Sequence, residues 1–146
     1  MALCRLGDAE LALGRHAAAA AAFERGCAVA VAIDSPFRHE AAAGLARVAL
    51  ARGDTAGASA ALESVLAHLD DGGTLDGTET RQLVRLTCHQ VLARAGDPRA
   101  AGVLAAAHAE LQTQAAAITD PALRASFLNN IPEHREIIAV WTAAQA

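Results

Sequence analysis

One phrase occurs twice in this chain, and it constrains the fold more than any other feature. Leu6-Gly7 … Gly14-Arg15 … Ala19 … Phe23 returns 39 residues later as Leu45-Ala46 … Gly53-Asp54 … Ala58 … Leu62. A weaker third copy centres on Gly96-Asp97. In each copy a run with helical apolar spacing leads to a glycine, and a second helical run follows. A single helix–turn–helix unit cannot bury its own apolar face, so successive copies must stack. The expected architecture is all-α: a right-handed stack of three helical hairpins, closed by two short C-terminal helices.

Local signals set the boundaries. Gly14 and Gly53 stand where a helix ends in a left-handed residue. Asp34-Ser35-Pro36, Asp54, Asp97-Pro98 and Asp120-Pro121 read as helix starts, with a capping side chain and often proline in the first turn. The hairpins should span about 2–33, 36–69 and 79–117, with a cap over 120–143, all within one domain of residues 1–146. Asp70–Thr78 is the clearest loop, and Asp76 is expected to cap the helix after it. Leu6, Ala9 and Leu13 share one face of the first helix, and Phe23 and Cys27 one face of the second. Leu62, Val65, Leu66 and Leu69 share a face of the fourth. These faces are the expected core.

Composition agrees. Alanine occupies 40 of the 146 positions, while aromatic residues make up 3%. Alanine is the best helix former and lets helices approach closely. The net charge is -4 and no basic run occurs, which argues against a nucleic-acid surface. Cys4, Cys27 and Cys88 are odd in number and widely spaced, which fits a reducing cytoplasm better than a disulfide framework. Ala17–Ala22 is short and lies between Arg15 and Glu24, so it reads as neither signal peptide nor membrane span.

The repeated phrase resembles the tetratricopeptide repeat. The first copy carries the pattern at Leu3, Leu6, Gly7, Gly14, Ala19, Phe23 and Gly26. The second carries it at Leu45, Ala46, Ala49, Gly53, Ala58, Leu62 and Val65. The third matches at Leu92, Gly96 and Ala101, with Cys88-His89 where Leu-Gly/Ala belong. Residues 75–141 also resemble the C-terminal repeat region of large bacterial signalling ATPases of the AAA/STAND type and nucleotide-cyclase regulators. Leu86–Leu92, Ala95–Ala100 and Asp120–Ile137 carry that likeness. It implies that the chain is the tail of a larger regulator, whose N-terminal modules would be its partner, or a short relative of one. No GxxxxGK[ST] phosphate loop occurs, so ATP hydrolysis does not carry over.

The repeat resemblance also implies a binding surface. The first helix of each hairpin lines the concave side of such a stack. Asp8, Arg47, Gln90 and Arg94 should face it, with Glu40 near its rim. The clamp that some of these proteins use for C-terminal carboxylates is missing, since Cys4, Asp8, Gly44, Leu83 and Thr87 stand in its place.

Catalytic and metal signatures are weak. No two of His16, His39, His68, His89, His108 and His134 lie three or four residues apart, and neither CxxC nor HExxH occurs. His108-Ala109-Glu110 lacks the PCxxC partner of a zinc deaminase. Neighbouring helical residues point about 100° apart, so His89 is poorly placed to activate Cys88. Asp70, Asp71, Asp76 and Glu79 do not follow the register of a calcium loop. The reading is therefore not an enzyme, with no cofactor and no metal.

The ends are apolar. Met1, Leu3 and Leu6 begin mid-array, so preceding residues or a second copy should cover them. At the other end, Trp141 should fold back on the third hairpin with Ile137 and Ile138, the alternative being an interface anchor, and Ile131 should staple the last helix. The expected function is a cytoplasmic protein–protein interaction or regulatory scaffold. The alternative is a groove that senses a peptide or small molecule for an attached ATPase or cyclase.

Overall fold

The computed structural model describes residues 1–146. It contains eight α-helices: α1 (Ala2–Ala12), α2 (His16–Ala32), α3 (Phe37–Ala51), α4 (Thr55–Asp70), α5 (Arg81–Arg94), α6 (Arg99–Ala116), α7 (Pro121–Asn129) and α8 (Pro132–Ala144). There are no strands, and every expected boundary falls within about two residues of its helix.

The turns explain that agreement. Gly53 has φ +74°, and the Asp54 amide behind it donates to the Ala49 carbonyl at 2.9 Å. This is the six-to-one hydrogen bond of a Schellman turn. Gly14 and Gly96 close α1 and α5 in the same way. Asp54 then accepts from the Gly57 amide at 2.8 Å, and Asp120 accepts from Ala122 and Leu123. Asp34 behaves differently from expectation. It is the only non-glycine with positive φ (49°), and it terminates α2 rather than starting α3.

Three pairs form from consecutive helices: α1 with α2, α3 with α4, α5 with α6. Helix α3 then packs on both α1 and α2, and α5 on both α3 and α4. Helix α8 packs on both α5 and α6, the place that a next first helix would take. So α1, α3, α5 and α8 make one continuous row. Helices α2, α4 and α6 form a second, more open row, in which α4 and α6 meet through side chains such as Asp70 and Arg99. The last helix thus extends the row, while α7 brackets α6 to α8.

Three clusters make the core. Leu62, Val65 and Leu66 of α4 meet Val84, Cys88 and Val91 of α5 and the alanines of α3. Leu86, Leu104, Leu111 and Ile137 join α5, α6 and α8, with Trp141 against them. Trp141 stacks on His108 of α6, with ring centroids 4.7 Å apart. The third cluster surrounds Phe23, which has no exposed surface. Its ring lies between two glycines of different helices. A methyl group on Gly7 of α1 would sit 2.6 Å from ring atoms, and one on Gly44 of α3 would sit closer still. Both glycines are therefore required by close approach, not by turn geometry.

The expected face of α1 is wrong. Leu6 is 46% exposed, Leu13 is 64% exposed and Ala9 is also exposed. Helix α1 instead buries Cys4 and Gly7 toward α2 and α3. An amphipathic reading assumes that the larger apolar residues point inward. Here the flat Phe23 ring demands the smallest residue, and the bulkier leucines rotate outward.

Buried His39 of α3 stacks on half-buried His68 of α4, with ring centroids 4.4 Å apart. Burial, reinforced by the neighbouring His68 and Arg38, pushes the His39 imidazole down to about 4. The unfolded chain keeps the ordinary value near 6.5. Between those values the unfolded state takes up a proton that the folded state refuses, so stability falls as pH drops through that window. Melting temperatures measured from pH 7.5 to 4.5 should fall more steeply for the parent chain than for a His39→Gln variant. Equal slopes would contradict the buried neutral imidazole.

Candidate functional site

The continuous row of α1, α3, α5 and α8 brings most of the expected surface residues together. Arg47 of α3 is the hub. Its Nη2 donates to Asp8 Oδ1 of α1 at 2.6 Å, and its Nη1 reaches Thr87 Oγ1 of α5 at 3.5 Å. Its guanidinium carbon lies 5.7 Å from the centroid of the Phe23 ring. One side chain thus ties three helices of the row together above the buried aromatic. Asp8 and Arg47 are separated by 39 residues, the repeat interval, so equivalent positions of adjacent hairpins pair with each other.

The pattern continues at the next step. Gln90 Nε2 of α5 donates to Glu136 Oε1 of α8 at 2.8 Å. Arg94, one turn further along α5, is exposed and makes no side-chain hydrogen bond or ion pair. Of the residues proposed for the surface, it is the one charge left uncommitted. Thr87, fully buried, supports that face from beneath and Glu136 belongs to it, but neither stands out in the sequence. Thr87 looks like a core threonine, and Glu136 lies in a helix whose place in the row is settled only by tertiary packing.

Glu40 has a different role from the one expected. It is buried, and its Oε1 accepts from the backbone amides of Glu79 and, at 2.9 Å, Thr80. A side chain of α3 therefore caps α5 across the hairpin boundary. Asp76, expected as that cap, instead holds Thr74 and Arg81. A carboxylate suits free amides at a helix start, through both hydrogen bonding and the helix dipole. Glu40→Ala leaves two amides without partners and should lower stability by about 1–3 kcal/mol. Glu40→Gln, which keeps an acceptor, should lose less. Chemical denaturation checks this, and equal stability of Glu40→Ala and the parent would contradict the capping role.

The thiols and acids are placed as follows. Cys88 is fully buried, and burial pushes its thiol up to about 12, which keeps it protonated at neutral pH. His89 turns away from it, with Nδ1 2.9 Å from the Ala100 carbonyl. Asp70, Asp76 and Glu79 disperse to Arg99, Arg81 and Arg5 respectively. No group of three or more histidines, cysteines or acids is gathered in metal-holding geometry. Between the separated helices α4 and α6 lies a cleft of about 460 Å³, where Arg99 bridges Asp97 and Asp70. No helix is long and apolar enough to cross a membrane.

Comparison of the chain with protein-family models, curated proteins and solved structures finds no match.

Proposed function

We propose that this chain is a right-handed, tetratricopeptide-like stack that binds a protein or peptide along the α1–α3–α5–α8 row, in the cytoplasm and without catalysis of its own. The observation that carries this reading is the polar ladder Asp8–Arg47–Thr87, continued by Gln90–Glu136, with Arg94 uncommitted beside it. Internal pairing holds the row in one shape, so a ligand meets a preformed surface rather than mobile side chains. The likeness of residues 75–141 to bacterial regulator tails supports a place in a larger signalling ATPase, whose remaining modules would be the bound partner.

Arg47 is a poor probe of this surface, because reversing its charge would set two carboxylates against each other beside Phe23. Arg94→Glu leaves the packing alone. In affinity capture from soluble extract of the source cells, Arg94→Glu should retain about tenfold less of a partner held by the parent, a loss of roughly 1.4 kcal/mol. Identical capture by both proteins would contradict binding at this face.

A second contact face is supported at the α1–α2 end. Val29, Val31 and Ile33 are more than half exposed, and Met1, Leu3, Val29, Ile33 and Phe37 line an apolar cleft of about 170 Å³. Apolar exposure of this kind at the end of a stack favours association with a second copy or an adjoining segment. Sedimentation of the parent should show self-association that Val29→Glu/Ile33→Glu abolishes. A monomeric parent at all concentrations would remove self-association.

A further inference from the structure

Where the start of α5, the end of α6 and the α7–α8 junction meet, a cavity of about 250 Å³ opens. Gln82, Gln114, Phe127, Glu133 and His134 are among its walls. Arg94 and the apolar α1–α2 end are not part of it, and the row-face reading does not use it.

Its polar lining contains one buried group without a partner. Gln82 is 3% exposed, and its side-chain oxygen has no hydrogen-bond partner. Its nitrogen makes only a long contact, 3.5 Å, with the Gln114 oxygen. Buried amide oxygens are almost always paired, so an orphan of this kind marks a position that needs a donor. His134 is buried too, with Nδ1 2.8 Å from the Phe127 carbonyl. A carbonyl can only accept, so that nitrogen carries a proton, and in the neutral ring Nε2 is left as an acceptor. Glu79 and Arg81 are both tied up, in pairs with Arg5 and with Asp76 and Glu110. Glu133 has no ion pair. The one charge in the wall without an ion pair is therefore negative, and Gln82 Oε1 and His134 Nε2 add acceptors beside it, while Thr80 and the Gln114 amide nitrogen can also donate. The Phe127 ring adds a flat aromatic wall.

We infer that this cavity binds a small organic cation, a guanidinium or primary ammonium group that donates to Gln82, Glu133 and His134. A planar guanidinium also suits the Phe127 ring. The volume holds such a head group with a few carbons, which a free amine or the arginine side chain of a peptide would equally supply.

The test is titration of the full chain with agmatine and, separately, with a blocked Gly-Arg-Gly peptide, followed by NMR of the Gln82 and Gln114 side-chain amides. Acetate serves as the anionic control. Both amide signals should shift saturably with at least one cation and not with acetate. Response to agmatine alone assigns a free amine as the source, and response to the peptide alone assigns a partner's arginine. Glu133→Gln, at the rim, should weaken binding about tenfold. Gln82→Leu should abolish binding while leaving the melting temperature unchanged or higher, because an apolar group of similar size removes an unpaired buried oxygen. A purely structural Gln82 would instead give a lower melting temperature with no cation-dependent shift in the parent. Absence of a saturable shift with either cation, a larger response to acetate, or undiminished binding by Glu133→Gln overturns the inference.

Discussion

Phe23→Ala should cost the fold about 3–5 kcal/mol, a large share of the stability of a domain this size. The ring is wholly buried and is held by two glycines on different helices, with the Arg47 guanidinium above it. Removing it leaves a cavity that the neighbours cannot close, since Gly7 and Gly44 carry no side chains to move inward. It also removes the surface over which Arg47 lies, so the polar row loosens with it. Leu13→Ala provides the contrast. That leucine is 64% exposed, so its loss should stay within about 0.5 kcal/mol. Urea denaturation of the two variants checks the pair. A Phe23→Ala loss under about 1 kcal/mol would mean that the ring is not the knob joining the first two hairpins.

The second large effect is at a turn. Gly53→Pro should destabilise the chain by about 3 kcal/mol or more. Proline fixes φ near -65°, whereas Gly53 sits at +74°. The substitution also removes the amide that donates to the Leu50 carbonyl at 3.0 Å. The α3–α4 connection would have to be rebuilt, and α3 carries both Arg47 and Glu40. Gly53→Asn separates strain from side-chain presence, because asparagine tolerates the left-handed region. It should lose about 1 kcal/mol or less, and the Cβ it adds meets nothing within 4 Å. Thermal melts followed by circular dichroism distinguish the two, and an unchanged melt for Gly53→Pro would contradict the turn.

These two sites also show what the sequence makes legible. The turn at Gly53-Asp54 is local: a glycine for a left-handed residue, then an acid that caps the next helix. The two Asp-Pro starts are readable in the same way, whereas Asp34 closes α2 where a helix start is expected. The buried status of Phe23, Leu62 and Val65 is likewise readable from helical spacing. Contacts between hairpins are not. Nothing near Glu40 indicates that it will cap a helix beginning 41 residues later, and Asp76 is the nearer acid. Nothing in α1 alone shows that Gly7 must face a ring from α2, which is what turns Leu6 and Leu13 outward.

The candidate surface follows the same rule. Asp8, Arg47 and Gln90 fall at equivalent repeat positions, so their shared face is legible. The pairing of Asp8 with Arg47, and of Gln90 with Glu136, is not, because it depends on the spacing between hairpins. That pairing changes the meaning of the set. Arg47 and Asp8 satisfy each other and shape the row, whereas Arg94 is left available to a partner. The place of α8 in the row, and hence Glu136, depends on how the α6–α7–α8 segment folds back, which no local signal sets.

The proposed function puts a partner along the α1–α3–α5–α8 row. Hydrogen–deuterium exchange of the chain, alone and with the partner recovered by affinity capture, tests it most directly. Added protection is expected in peptides from α3 and α5 around Arg47 and Arg94, and in α8 around Glu136, with α2, α4 and α6 unchanged. Protection confined to α2, α4 and α6, or to the apolar α1–α2 end, would contradict it.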